Sequence, residues 1–249
     1  SRGLSIERLA ISLYAKGMSV TDIESEIQEI YGINLSTSAI SIITNKVSQA
    51  ASEWQNRPLE SLYMIVWMDG IVFKVRENGK VINKTVYLCV GLNKEGLKEV
   101  LGMWVGKNES AAFWMGVLTD LKARGVEDIL ITVTDNLNGF TETIKSVFPT
   151  STTQICVVHQ IRNSCRYVVW KEKKEFTSDL KNIYNAPTKE AAKMELENFE
   201  QKWGTKYPYA IRSWRNNWEE LTVFFEFSVE IRKIIYTTNL IENLNGKIR

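Results

Sequence analysis

The 249-residue chain contains a single histidine, His159, and only three cysteines, Cys89, Cys156 and Cys165, with no C-x-x-C pair among them. An odd number of cysteines without such pairing argues against a disulfide scaffold and predicts reduced thiols in an intracellular protein. No apolar run reaches membrane-spanning length, and the start of the chain lacks a signal-peptide pattern. As a structural zinc site, Cys156 and His159 would be two ligands short.

The charge of the chain is nearly balanced, with a net value of +2, and its 44% hydrophobic content predicts a globular protein with a sizeable core. Residues 1–50 hold four Lys and Arg against five Asp and Glu, and residues 51–159 hold eleven against twelve. Residues 160–249 hold sixteen against twelve, a net charge of +4. A polyanionic partner would therefore be contacted mainly by the C-terminal third.

The first fifth of the chain has the apolar spacing of three short helices, separated by Gly17 and Gly32. Ser19 precedes an aspartate by three residues, which predicts a cap on the second helix. This pattern is typical of a helix-turn-helix DNA-binding unit over residues 1–50, with a plain three-helix packing unit as the alternative. In the DNA-binding interpretation, the third helix presents five polar side chains to a groove: Thr37, Ser38, Ser41, Thr44 and Asn45.

The middle of the chain changes to strand-like alternation. Strands are predicted over residues 63–68, 71–76, 84–90 and 99–105, with a hairpin turn at residues 77–80. An amphipathic helix at 110–124, a buried strand at 129–134, a helix at 137–147 and a strand at 154–158 follow. Antiparallel strands followed by this β-α-β-α-β order predict an α/β fold, with an RNase H-like mixed sheet and flanking helices.

Beyond residue 160 the strand pattern does not return. Residues 160–232 have helical spacing almost throughout, which predicts an all-α insertion before a last helix at 239–249. Within it, Trp214 and Trp218 lie four residues apart, beside Arg212 and Arg215. Core packing is one interpretation of these indoles, and stacking on an unpaired base with phosphate contacts from the arginines is the other.

Three acidic residues are the strongest candidates for chemistry. Asp69 and Asp135 each end an apolar, β-branched run and precede a turn-forming residue, and Glu242 lies in the last predicted helix. Although a single aspartate at a strand end is usually a turn cap, three acids in such positions suit a site for divalent ions acting on phosphodiesters. We expect two Mg²⁺ ions, with Mn²⁺ as a substitute. Since like charges repel, Asp69→Asn should slightly stabilise the metal-free fold.

His159 is predicted to follow the strand at 154–158, in the same sheet as Asp69 and Asp135. Two roles stay open for it: a hydrogen-bonded structural residue, or a residue that supports the metal site or contacts a phosphate. Cys156 is expected to pack as a small buried hydrophobe.

The chain resembles bacterial insertion-sequence transposases of the Mutator-like superfamily. The resemblance covers the whole chain and is carried, in order, by WMDGIVFKV, KTVYLCVGLN, EVLGMWVG, FWMGVLTDLKARGV, TDNLNGF, QICVVHQIRNS and YTTNLIENLNGKIR. It implies an RNase H-like catalytic domain of the DDE type, with Asp69, Asp135 and Glu242 as the catalytic triad. It also implies a C-x-x-H signature at Cys156 and His159, and a tryptophan-bearing helical insertion before the final glutamate.

The resemblance implies four parts: a helix-turn-helix at 1–50, the first part of the catalytic core at 62–164, the insertion at 165–232, and the final catalytic helix at 233–249. Transposases of this kind are usually longer at both ends, so we expect this chain to be a fragment.

The implied function is Mg²⁺-dependent cleavage of DNA at insertion-sequence ends, followed by strand transfer to target DNA. The implied partners are double-stranded terminal inverted repeats, target DNA and further copies of the chain, in the bacterial cytoplasm at the nucleoid and without a membrane. Two alternatives stay open: an RNase H-like nuclease, and a truncated, non-catalytic DNA-binding protein that represses transposition.

Overall fold

The computed structural model describes residues 48–106, 110–136 and 139–236, together with these isolated earlier positions: Ser19, Thr21, Asp22, Glu24, Ser25, Gln28 and Asn45. Its sheet has five strands, in the order β3-β2-β1-β4-β5. They are β1 Leu62–Glu77, β2 Lys80–Asn93, β3 Lys98–Gly106, β4 Asp128–Thr134 and β5 Thr152–Ile155. The first three strands pair antiparallel, whereas β4 pairs parallel with both β1 and β5. A mixed α/β architecture is therefore confirmed.

The first strand is longer than the sequence predicts. β1 is one strand of 16 residues and runs through Asp69 and Gly70 without a turn. Gly70 pairs with Tyr87 on β2, and a Cβ atom at Gly70 would lie only 3.1 Å from the Tyr87 ring. The prediction that Asp69 ends a strand is therefore wrong, because this glycine makes room for an aromatic ring and does not start a turn.

Other turn and cap signals are confirmed. Asn78 and Gly79 form the predicted hairpin turn, with φ angles of 50° and 76°. Ser110 begins α1, Ala111–Ala123, and its Oγ accepts a 3.1 Å hydrogen bond from the backbone N–H three residues later. Ser19 Oγ accepts a 3.2 Å bond in the same way. These turns and caps can be predicted from the sequence because each depends on residues only a few positions apart.

One face of the sheet is covered by α1 and by α2, Phe140–Val147. Their apolar side chains pack with Met68 of β1 and Cys89 of β2 around the fully buried Trp114. The predicted helix at 137–147 begins only at Phe140 in the structure, and residues 137 and 138 lie outside the described part.

The opposite face is covered by a run of helices that occupies the described residues from 157 to 236. These are α3 Val157–Cys165, α4 Lys173–Tyr184, α5 Lys189–Trp203, α6 Pro208–Asn216, α7 Trp218–Leu221 and α8 Val229–Tyr236, with 3₁₀ turns at Trp170–Glu172 and Val223–Glu226. Ile65 and Trp67 of β1 share one core with them. The first half of β1, up to Asp69, is therefore buried on both faces, whereas its far end is exposed. The helical character of residues 165–232 agrees with the sequence, and the domain boundaries stay predictions.

Among the helices that the structure describes, none combines the length and apolar composition needed to cross a membrane.

Candidate metal centre

Asp69 and Asp135 lie near each other because of the register between two parallel strands. Trp67 of β1 pairs with Val133 of β4, and each aspartate follows its paired residue by two positions. Since side chains two residues apart share a face, both carboxylates belong to the face that α3 covers. Asp69 is 3% exposed inside β1, while Asp135 directly follows β4. The structure thus brings together two acids that are far apart in the sequence.

His159 joins these acids from the first turn of α3. Its Nε2 atom lies 3.1 Å from Asp69 Oδ1, and its Nδ1 atom lies 2.5 Å from Asp135 Oδ1. The imidazole therefore bridges the two carboxylates.

The secondary structure around His159 differs from the prediction. The predicted strand exists but its bounds of 154–158 are wrong, because β5 spans Thr152–Ile155 and α3 begins at Val157. The Cys156 N–H donates to the Thr134 carbonyl at 2.7 Å, and β4 ends at that residue. Because β4 ends there, it offers no further backbone partner to β5. Val157 and Val158 therefore lie in a helix, although valine favours strands. Cys156 itself is buried in the core, as predicted.

The electrostatics of the group depend on burial and on close opposite charges. Burial and the neighbouring Asp69 raise the pKa of Asp135, while His159 and Arg162 oppose this rise. Burial alone would lower the pKa of His159, but its interactions with the side chains of Asp135, Asp69 and Cys156 outweigh burial and raise that pKa to about 12. In the metal-free protein a protonated imidazole therefore compensates the two carboxylates.

The donor atoms fit a divalent cation. One ligand atom from each of Asp69, Asp135 and His159 lies within 4.8 Å of the other two. Despite these short contacts, Asp69 Oδ1, Asp135 Oδ1 and His159 Nδ1 are buried without a well-aligned hydrogen bond, which buried polar atoms rarely tolerate. The carboxylates suit Mg²⁺ or Mn²⁺, and the imidazole suits either a softer ion or a hydrogen bond to a ligating carboxylate.

A side-chain network that the sequence does not predict connects the chain neighbours of Asp135 and His159. Asn136, which follows Asp135, donates from Nδ2 to Asn217 Oδ1 at 2.9 Å. Asn217 in turn donates to Oε1 of Gln160 at 3.3 Å, and Gln160 follows His159 in α3. No motif marks Asn217 in the sequence, where it is simply the second of two consecutive asparagines; in the structure it is the single residue between α6 and α7.

The paired tryptophans belong to the core of the helical region. Trp214 is 2% exposed and Trp218 is 8% exposed, so stacking on a base would require Trp218 to leave its packing site. Arg212 is exposed, and Arg215 donates from Nε to Glu200 at 3.0 Å. The geometry supports core packing for both indoles and does not support Trp218 as a DNA-stacking residue.

Several predicted residues lie outside the described part of the chain: Glu242, Thr37, Ser38, Ser41 and Thr44. Asn45 is described as an exposed helical residue. The role of Glu242 as the third acid and the groove-facing role of the other five residues stay predictions.

The sequence profile described as "Transposase, Mutator family" matches residues 2–249. The chain belongs to this family. The transposase for insertion sequence element ISRM3 of Rhizobium meliloti (strain 1021) is 47% identical over 240 residues, which are 96% of this chain and 60% of that protein. A probable transposase for an insertion sequence element of Corynebacterium diphtheriae is 38% identical over 245 residues, covering 98% of this chain and 71% of that protein.

This Mutator-family chain spans about 60% of the length of the Rhizobium relative. Among solved structures, the Drosophila P element transposase strand transfer complex matches 65% of this chain and 48% of its own chain, with 12% identity and a TM-score of 0.28. A TM-score this low does not indicate a shared fold.

Proposed function

We propose that this chain is the catalytic core of an insertion-sequence transposase with an RNase H-like fold. It would cleave DNA at the ends of the element and join the freed 3′-hydroxyl to target DNA. The main observation behind this proposal is that Asp69 on β1 and Asp135 directly after β4, two adjacent parallel strands of the sheet β3-β2-β1-β4-β5, lie together in a chain that belongs to a transposase family. Three antiparallel strands followed by two parallel ones also agree with the RNase H-like order expected from the sequence.

Asp69 and Asp135 would hold divalent ions, together with Glu242 from the last helix. When bound, two such ions would activate the attacking oxygen and stabilise the leaving oxygen of a phosphodiester. Asp69 offers a rigid ligand, because it pairs with Leu88 of β2 and lies two residues after Trp67, which pairs with β4. Asp135 lies just beyond its strand, where Asn136 and Asn217 fix the chain.

His159 would act as a positioning residue for these carboxylates. Its two ring nitrogens face Oδ1 of Asp69 and Oδ1 of Asp135, so it can set the orientation of both oxygens. Outer partners of this kind orient the side chains that bind a metal.

The proposed substrate is double-stranded DNA: the terminal inverted repeats of the element and a target site. A dimer or higher oligomer on DNA would bring two ends together. The excess positive charge of residues 160–249, sixteen cations against twelve acids, supports a DNA contact in this part.

A cleavage assay tests this function. Wild-type chain and Asp69→Asn are incubated with Mg²⁺ and DNA that carries the ends of the source element, with and without a target plasmid. We expect end-specific nicks and joined products from the wild type only. Cutting without joined products would instead indicate a nuclease, and binding of end DNA by folded wild type without any nick would favour the repressor.

A further inference from the structure

Directly after α3, residues 166–174 present aromatic and basic side chains to the solvent; we refer to them as the Trp170 segment. Trp170 is 86% exposed and Tyr167 is 65% exposed. Single exposed apolar residues are common on protein surfaces. A tryptophan this exposed beside a second exposed aromatic ring is unusual, because tryptophan is among the most buried residues on average.

The backbone of this segment is held firmly. The N–H of Tyr167 donates to the hydroxyl of Tyr209 at 3.2 Å, and the N–H of Val169 donates to the hydroxyl of Tyr207 at 3.3 Å. The Glu172 carboxylate accepts hydrogen bonds from the side chains of Tyr207 and Lys206. Val168 is buried between these contacts. The exposure of Trp170 is therefore a property of a fixed turn.

The charge of the segment is strongly positive. It contains four cations, Arg166, Lys171, Lys173 and Lys174, against the single acid Glu172. In the part of the chain that the structure describes, none of the four cations has a carboxylate oxygen within 4 Å. The one local acid is already bonded to Lys206. The segment accounts for three of the four excess charges of residues 160–249.

We propose that the Trp170 segment is a DNA-contacting surface, in which Trp170 stacks on an unpaired base while the surrounding cations contact backbone phosphates. An indole flanked by lysines is suited to single-stranded or end DNA, because every base offers a π-face and lysine binds phosphate. The core of a protein interface is instead depleted in lysine. A second copy of this chain is therefore the less suitable occupant.

The surface lies within reach of the candidate metal centre. α3 carries His159 in its first turn and ends at Cys165, and a helix rises about 1.5 Å per residue. The end of α3 is therefore roughly 9 Å beyond His159, a distance of a few nucleotides. This inference rests on the proposed function for the identity of the DNA, but binding and cleavage can be measured separately.

Binding is measured by fluorescence anisotropy of the full chain in EDTA, with two labelled probes: a blunt duplex and the same duplex with a single-stranded thymine tail. Trp170→Ala should weaken binding of the tailed probe by roughly 5- to 150-fold, the usual effect of losing one stacked base. The blunt duplex should be affected less. Met194→Ala is the matched control, because Met194 is also a large exposed side chain, at 66%, and should leave both affinities unchanged.

The charge contribution is tested with two double variants. Lys171→Gln/Lys174→Gln should weaken both probes and reduce the slope of log K against log salt by about 1 to 2, since each lost phosphate contact contributes about 0.9. Lys145→Gln/Lys193→Gln removes two exposed cations elsewhere and should leave the slope closer to wild type. Equal slopes for the two double variants would contradict the proposed phosphate contacts.

Three outcomes separate the possibilities. Equal affinity of Trp170→Ala and Met194→Ala for the tailed probe would overturn the proposal. Loss of self-association in Trp170→Ala by analytical ultracentrifugation, with unchanged DNA affinity, would overturn it in favour of a second copy of the chain. If Trp170→Ala weakens DNA binding while the wild-type chain cuts no DNA with Mg²⁺, the first result supports this surface and the second counts against the proposed catalytic function.

Discussion

The side-chain amide of Asn136 donates a 2.9 Å hydrogen bond to the side-chain oxygen of Asn217, which lies 81 residues later in the chain. Asn217 also donates to Gln160, the residue after His159. One side chain at the end of α6 therefore holds both the loop after Asp135 and the first turn of α3. The helical region covers the sheet and also fixes the relative position of two members of the candidate metal centre.

Asn217→Ala should impair the site more than the fold. We expect a loss of about 1 kcal/mol in the free energy of unfolding, because the hydrogen bonds are partly exposed. The rate of Mg²⁺-dependent cleavage should fall by roughly 10-fold or more, as for other residues that support ligating side chains. Asn216→Ala is the control, since Asn216 is the exposed last residue of α6. Equal rates for the two variants would show that Asn217 does not position Asp135.

Asp69→Asn should destabilise the metal-free protein, contrary to what charge repulsion alone predicts. The structure places His159 Nε2 3.1 Å from Asp69, so the substitution removes a buried partner of an imidazolium as well as a negative charge. Well-aligned hydrogen bonds to charged groups contribute about 1.5–3 kcal/mol; because this contact is not well aligned, we expect a loss near the lower end of that range in urea unfolding with EDTA. Asp128→Asn, at the exposed start of β4, should change stability by much less. If Asp69→Asn is more stable than the wild type, repulsion between the carboxylates outweighs the contact with His159, and this prediction is wrong.

The protonation of His159 can be followed directly, because it is the only histidine in the chain. Its Cε1–H signal in ¹H NMR should keep the imidazolium shift well above pH 6.5 in the metal-free folded protein, since the carboxylates raise its pKa to about 12. The charged imidazole then contributes to stability fully below pH 6.5, and this contribution is lost as the pH rises towards that pKa. Asp135→Asn should lower the midpoint. A folded wild-type midpoint near 6.5, the value expected in urea, would refute the bridging arrangement.

Local sequence signals predict much of the fold, and long-range pairing explains where they fail. Ser110 and the Asn78-Gly79 turn act within a few residues, so their sequence is sufficient to place them. Gly70 has the same appearance as a turn glycine, and only the ring of Tyr87 on the neighbouring strand shows that it belongs inside β1. The helical start at Val157 likewise depends on where β4 ends.

The sequence identifies the two acidic residues of the candidate site, but it does not predict how the residues of the site are arranged. Asp69 and Asp135 stand at the ends of apolar runs, but their proximity follows from the register of β1 with β4. His159 is placed between them because α3 begins directly after β5. The sequence does not predict that Asn217 bonds to Asn136 and Gln160, since these contacts depend on the packing of α6 against α3.

Replacing a buried and an exposed tryptophan by alanine should have different consequences for stability, a large loss for Trp218 and almost none for Trp170. Trp218→Ala should lower the free energy of unfolding by about 3–5 kcal/mol, because the ring is 8% exposed in the helical core. Trp170→Ala should leave thermal unfolding nearly unchanged, since that ring is 86% exposed. The measurement is thermal unfolding by circular dichroism. Weakened DNA binding by Trp218→Ala with an unchanged melting temperature would instead show that Trp218 stacks on a base.

The central claim is that Asp69 and Asp135 together hold a divalent ion, and binding of Mn²⁺ measured by electron paramagnetic resonance tests it without requiring cleavage. The wild type, the double variant Asp69→Asn/Asp135→Asn and the control Asp128→Asn are titrated at equal concentration. We predict saturable binding to the wild type and the control, and its loss in the double variant while the circular dichroism spectrum stays that of a folded protein. Equal Mn²⁺ binding by the folded wild type and the double variant would contradict the account.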